Sequence, residues 1–253
     1  MKLPIRNLLP NGVPGLSSPV ARLAVLAALV VLGLLVWRWT AGGTVGAVRV
    51  SGQAVLSADS VRTLSGLAQG QALRTVDAEA VAARLEQHAW IAESTVQPRP
   101  FRNRVDISVR ERVPQGRWVA PDGTPRFFVD AEGIALPTRT DTTFDVPLVY
   151  DDSVSYHATE PVVRSATRQA LRALSAAPTA QALTSGLHTR ADHAVALYVT
   201  HPEGYTITAR LGHPPYPTKL QRLEAFFAHV LPGKDDPVRT IDLRFDNQVV
   251  TQP

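Results

Sequence analysis

The 253-residue chain contains no cysteine, so thiol catalysis, thiolate metal sites and disulfide staples are all excluded. Acidic residues are missing from the front: no Asp or Glu precedes Asp59, while Lys2, Arg6, Arg22, Arg38 and Arg49 fall in that stretch. Lysine is scarce, 3 against 23 arginines, and the sequence pI is 9.7. Recognised catalytic patterns are absent as well. No Ser heads an S-x-x-K, and there is no G-x-S-x-G elbow, no H-E-x-x-H and no phosphate-cradling glycine motif. His193, His201 and His213 share no tight spacing with an acidic ligand and read as surface or turn residues. Asp151-Asp152 reads as a solvated pair in a polar loop. No catalytic, cofactor or metal site is expected, and the protein is not expected to be an enzyme.

What is present begins with an apolar run. Leu23 to Trp37 has no polar residue, and these 15 residues make about 22 Å of helix. Counted from Val20 to Trp39 the segment has 20 residues and spans about 30 Å, with Arg22 and Arg38 able to snorkel outward. Trp37 and Trp39 stand where an interfacial aromatic belt belongs. The expectation is a single transmembrane helix over 20–39 with residues 1–19 cytoplasmic. A cleaved signal peptide ending near Val45-Gly46-Ala47 is the competing reading. Both readings place everything beyond about residue 45 outside the cytoplasm. Basic charge without aromatic interleaving or a groove-reading motif argues against nucleic acid; a solvated face or an anionic membrane surface fits it better.

Residues 40–46 read as a flexible linker, and 47–114 as a compact unit of order β-α-α-β-β. Ser57 and Asp77 are placed to cap its two helices. Pro100 to Asn103 reads as the turn between its last two strands. Residues 115–253 read as a mainly antiparallel β-domain interrupted by two helices. One lies around Pro161 to Ala176. The other begins at the capping box Thr218-Lys-Leu-Gln221 and stops at Pro232-Gly233. The fold class is therefore α+β. Thr240 to Val250 reads as a final strand: Ile241, Leu243 and Phe245 alternate with Asp242, Arg244 and Asp246, and only three residues follow Val250. Such an edge, left uncovered, invites another chain.

Several segments resemble one family. Val48-Arg-Val-Ser-Gly52, Leu73-Arg-Thr-Val-Asp77, Glu86-Gln-His-Ala-Trp90-Ile91 and Ile107-Ser-Val-Arg-Glu-Arg-Val-Pro114 resemble a POTRA domain of the FtsQ/DivIB type. Ala89 and Ile91 stand where the family often has proline and valine. Phe128-Val-Asp-Ala-Glu-Gly-Ile-Ala-Leu136, Val146-Pro-Leu148 and Ile241-Asp-Leu-Arg244 are similar to motifs of its C-terminal domain. The resemblance implies a bitopic, non-enzymatic divisome protein at the inner membrane. It implies partners of the FtsB/DivIC and FtsL type, through which septal peptidoglycan synthesis is controlled. It also implies that the partner adds a strand at the C-terminal edge. The candidate partner-binding residues are Thr240, Asp242, Arg244, Phe245, Asp246, Asn247, Val249 and Val250. Here Ile241, Leu243 and Phe245 are expected to pack on the domain, and a local ion pair of Arg244 with Asp242 or Asp246 is an equal alternative to a direct contact. POTRA units also serve protein-translocation machines, but too few strands remain here to close a barrel.

Overall fold

The computed structural model describes residues 19–40, 43–139, 142–151, 157, 159–234, 236–245 and 248–253, with the side chains of 20 and 38–40 left aside. Helix α1, Pro19–Thr40, covers the apolar segment. Its described side chains run unbroken from Ala21 to Trp37, 17 residues or about 25 Å. Leucines, valines and Trp37 are exposed all round it, the pattern of a helix with no protein core against it. Among the described residues no helix is long and apolar enough to cross a membrane.

The chain from Gly43 is already part of the next unit. Leu73 N–H donates to the Gly43 carbonyl, Val45 N–H donates to Gln71 O, and the Val45 side chain is buried. The 40–46 segment is thus ordered at its far end rather than a free linker. Strand β1 (Ala47–Ser51), helices α2 (Ala58–Ser65) and α3 (Ala78–Glu86), and strands β2 (Ile91–Arg99) and β3 (Arg104–Glu111) follow in the expected order. The caps form where the sequence places them. Ser57 Oγ accepts from Ser60 N–H and Asp77 Oδ1 accepts from Ala80 N–H, while Gly66, at φ 65°, ends α2 in the left-handed conformation. The sheet runs β1-β3-β2, with β1 parallel to β3 and β2 antiparallel to it.

Among the described residues the second unit carries nine strands. They are β4 (Gly116–Val119), β5 (Pro125–Val129), β6 (Ala135–Pro137), β7 (Leu148–Asp151), β8 (Thr184–Thr189), β9 (Val195–Thr200), β10 (Thr206–Gly212), β11 (Thr240–Asp242) and β12 (Val250–Gln252). Helices α4 (Ser165–Ser175), α5 (Pro178–Leu183) and α6 (Pro217–Ala225) accompany them, and a wider π-turn, Phe226–Val230, extends the last. The order across the sheet is β12-β11-β10-β9-β8-β7-β4-β5-β6. The β4–β7, β7–β8 and β10–β11 pairs are parallel and the other five antiparallel, matching the expected mainly antiparallel domain. The helices cover one sheet face, where Leu171, Leu174, Leu220 and Leu223 meet Val149, Leu187, Leu197 and Ile207.

Some expectations fail for local reasons. The Thr218 capping box is not used: Pro217, with no N–H to satisfy, takes the first helical position, and Tyr216 is the cap residue. Helix α4 begins at Ser165 rather than Pro161, and α5 was not anticipated. Asp151 is no solvated turn residue. Its carboxylate is buried, accepts from Arg164 N–H and Thr167 Oγ1, and so holds the start of α4 against β7. Asp152 lies outside the described residues.

Neither unit closes its core alone. Phe128, Ile134 and Leu136 of the β-domain pack into the same cluster as Leu85, Trp90, Ile91 and Val109. Phe144 stacks on Trp90 at 5.8 Å and meets Phe128 edge-on at 5.3 Å. The Trp90 side chain is core. At this seam Arg112 Nη1 donates to Asp130 Oδ2 at 2.9 Å, and Asp130 Oδ1 accepts from Glu132 and Ile134 N–H. Glu111, just before it, accepts from Ala54, Val55 and Leu56 N–H and ties down the loop leading into α2.

Tyr216 offers a test of this packing. It is buried, its hydroxyl has no hydrogen-bond partner among the described residues, and burial pushes its pKa up to about 12. Removing an unsatisfied buried hydroxyl without changing shape relieves a desolvation penalty of about 1–3 kcal/mol. Tyr216→Phe should leave the thermal midpoint unchanged or raise it, as read by calorimetry.

Candidate functional site

The C-terminal segment is not one strand. After β11 the chain leaves the ladder, and β12 returns antiparallel to it, pairing Thr240 with Gln252, Ile241 with Thr251 and Asp242 with Val250. The edge expected on 240–250 is therefore covered by the chain's own last residues. The sheet ends at β12, beyond which no described strand pairs.

Six of the eight candidate residues are among the described residues. Thr240 and Asp242 lie in β11 between β10 and β12, their backbones committed on both sides. Ile241 and Leu243 are fully buried, and the Leu243 N–H donates to Arg210 O although Leu243 is outside the strand. Phe245, expected to pack inward, is instead 45% exposed, because the chain has turned off the sheet before it. Val249 packs against the core from the side, and Val250 is exposed in β12. Asp246 and Asn247 lie outside the described residues.

The Asp242–Arg244 ion pair is formed. Arg244 Nε lies 2.9 Å from Asp242 Oδ1 and Nη2 lies 2.6 Å from Oδ2, a bidentate geometry, and the Arg244 backbone N–H also donates to Oδ1. Gly212 makes room for it. Its φ is +68°, and an added Cβ would come within 2.9 Å of Arg244 Cγ. The Arg244 guanidinium also approaches the Phe245 ring, 6.0 Å from its centroid. From beneath, Arg222 of α6 donates to the carbonyls of Leu243 and Phe245, and Lys219 Nζ donates to Leu211 O at 2.7 Å. These two α6 cations fix the turn from β10 and the exit from β11. Nothing local in the sequence marks them, since their partners lie 6 to 23 positions away.

Hydrogen bonds from Arg244 hold the Asp242 carboxyl below the ordinary range, against the opposing effect of burial. A carboxylate with a depressed native pKa stabilises the fold above its unfolded value of about 3.9, and that contribution is lost as pH falls through the native value. The urea midpoint should therefore drop below about pH 4, and Asp242→Asn should flatten that part of the profile.

Beside the edge, the outer sheet face forms a hollow whose lining includes His188, Arg190, Asp192, Tyr198, Arg210 and Arg244. Tyr150, His188 and Tyr198 make an aromatic cluster on this face, with ring centroids 6.1–6.5 Å apart. Among the described residues no group of acidic or histidine side chains could hold a metal ion. The chain is thus a POTRA-bearing two-unit protein whose distinctive surface is a sheet edge beside a basic, aromatic face.

Comparison with known sequences agrees with this class. A family model described as "POTRA domain, FtsQ-type" matches residues 44–112, and one described as "FtsQ/DivIB, C-terminal related" matches 114–252. The chain is 36% identical to the cell division protein FtsQ of Salinibacter ruber, over 90% of this chain and 89% of the relative. It is 30% identical to FtsQ of Rhodothermus marinus, over 85% and 80%. The chain belongs to the FtsQ/DivIB family of cell-division proteins.

Proposed function

We propose that this protein is a single-pass divisome scaffold without enzymatic activity, which binds an FtsB/DivIC- and FtsL-type pair through its C-terminal sheet edge. Through that complex it takes part in controlling septal peptidoglycan synthesis. The observation that carries the reading is the position of β12. It ends the described sheet, is short, and has no described strand paired on its outer side, which suits it to take an added strand. The adjoining face with Arg190, Arg210 and Arg244 favours a partner segment carrying carboxylates.

This reading shifts the binding residues by one strand. Val250 to Gln252 supply the main-chain ladder, and Arg244 and Phe245 flank it from the side. Thr240 and Asp242 act indirectly, by holding β12 in register. A co-purification of the full chain with FtsB- and FtsL-type proteins tests the assignment. Recovery of the pair is expected from the native chain, and recovery undiminished by loss of β12 pairing would refute it.

Retention of α1 as an anchor is part of the same proposal. Val45 belongs to the POTRA core and Gly43 to its backbone network, so cleavage near Ala47 would remove structural residues from the folded unit. The mature protein should resist alkaline extraction from membranes and keep residues 1–40. A native amino terminus near Val48 would contradict it. Fluorescent fusions should gather at the division septum.

A further inference from the structure

The turn between β2 and β3 has a composition that neither the fold nor the C-terminal edge explains. Phe101 at its tip is 79% exposed, the most exposed large apolar side chain among the described residues. It is flanked by Arg99, Arg102 and Arg104. Arg99 and Arg104 both approach Asp106, whereas Arg102 is exposed and makes no ion pair among the described residues. With one carboxylate against three guanidiniums, the turn carries a net positive charge. Single exposed apolar side chains are ordinary, but an aromatic ring at the tip of a cationic turn is the composition of a bilayer interface.

Its position supplies the second observation. The turn is fastened to the chain emerging from α1: Gly46 N–H donates to Asn103 O at 2.8 Å. The Gly43 backbone lies so close that an added Cβ would stand 2.9 Å from Pro100 O. From Thr40, the end of α1, to Gly43 there are three Cα steps, at most about 11 Å. The turn is therefore pinned beside the point where the helix ends.

We infer that the β2–β3 turn seats on the anionic surface of the bilayer, with Phe101 in the headgroup region and Arg99, Arg102 and Arg104 against lipid phosphates. The inference rests on the reading of α1 as a membrane anchor. With the turn seated, the sheet β1-β3-β2 has two fixed points on the membrane, which limits how far the unit can tilt about the anchor.

The absence of cysteine makes the test direct. Phe101→Cys in the full chain gives a single thiol for an environment-sensitive fluorophore. The chain is then placed in nanodiscs of phosphatidylcholine alone or mixed with phosphatidylglycerol. A blue shift and quenching by lipid-borne quenchers are expected in the anionic discs only. Both should fade near 1 M salt, where the screening length falls to about 3 Å. Arg102→Glu should abolish them, and because Arg102 is unpaired the variant should fold normally. Water-like emission in both discs, or equal burial in both, overturns the inference while leaving the anchor intact. Burial that appears only when the FtsB- and FtsL-type pair is added assigns the turn to a protein contact and overturns it too. A chain that fails to enter discs of either kind overturns the anchor reading and this inference with it.

Discussion

Replacing Arg112 with methionine should lower the unfolding free energy by about 3–5 kcal/mol, since it strands a buried carboxylate. Asp130 has 2% of its side chain exposed and Arg112 has 18%, so water cannot take over the lost hydrogen bond. Methionine retains the aliphatic stem, so the loss reports the charge pair rather than packing. The pair also bridges the two units, because Arg112 follows β3 and Asp130 follows β5. With Trp90, Phe128 and Phe144 in one cluster, the POTRA unit and the β-domain should unfold in one transition, detectable by coincident probes in urea. Asp130→Asn placed on Arg112→Met should recover part of the loss, because it removes the stranded charge, and a double-mutant cycle would reveal that coupling. Additive effects would show that the bridge does not act as a unit.

Proline in β12 should weaken partner binding at least tenfold, a change of about 1.4 kcal/mol, while leaving the POTRA unit folded. Successive strand residues present their N–H groups to opposite edges. Of Val250→Pro and Thr251→Pro, one should block the outer edge and the other should break a bond to β11; both should reduce affinity. A cut after Arg239 would be a poorer test than either. It would also remove Ile241 and Leu243, both fully buried, and so perturb the domain itself. Unchanged affinity in both proline variants would place the binding surface elsewhere.

What could be read from the sequence followed from local physics. Ser57 and Asp77 announce helix starts because an N-cap acts within three residues. The β2–β3 hairpin, with its turn at Pro100 to Asn103, follows the same logic. The C-terminal edge was only partly legible. Alternation from Ile241 to Phe245 records which side chains face inward, but not which backbone the strand pairs with, and the burial stops at Leu243. Nothing in the string 240–253 says that its last residues fold back to become the edge. Asp151 shows the same limit. Its partner Thr167 is 16 positions away, so a buried cap looked like a solvated pair. The seam between the units was hidden too, because Trp90 and Phe144 are 54 positions apart and join only through the fold.

The central claim, that β12 is where the partner adds its strand, is tested most directly by hydrogen exchange on the full chain with and without the purified FtsB- and FtsL-type pair. Binding should slow exchange at the amides of Val250 to Gln252 and leave β1, β2 and β3 unchanged. Protection confined to the POTRA unit, with β12 exchanging as fast as in the free protein, would contradict it.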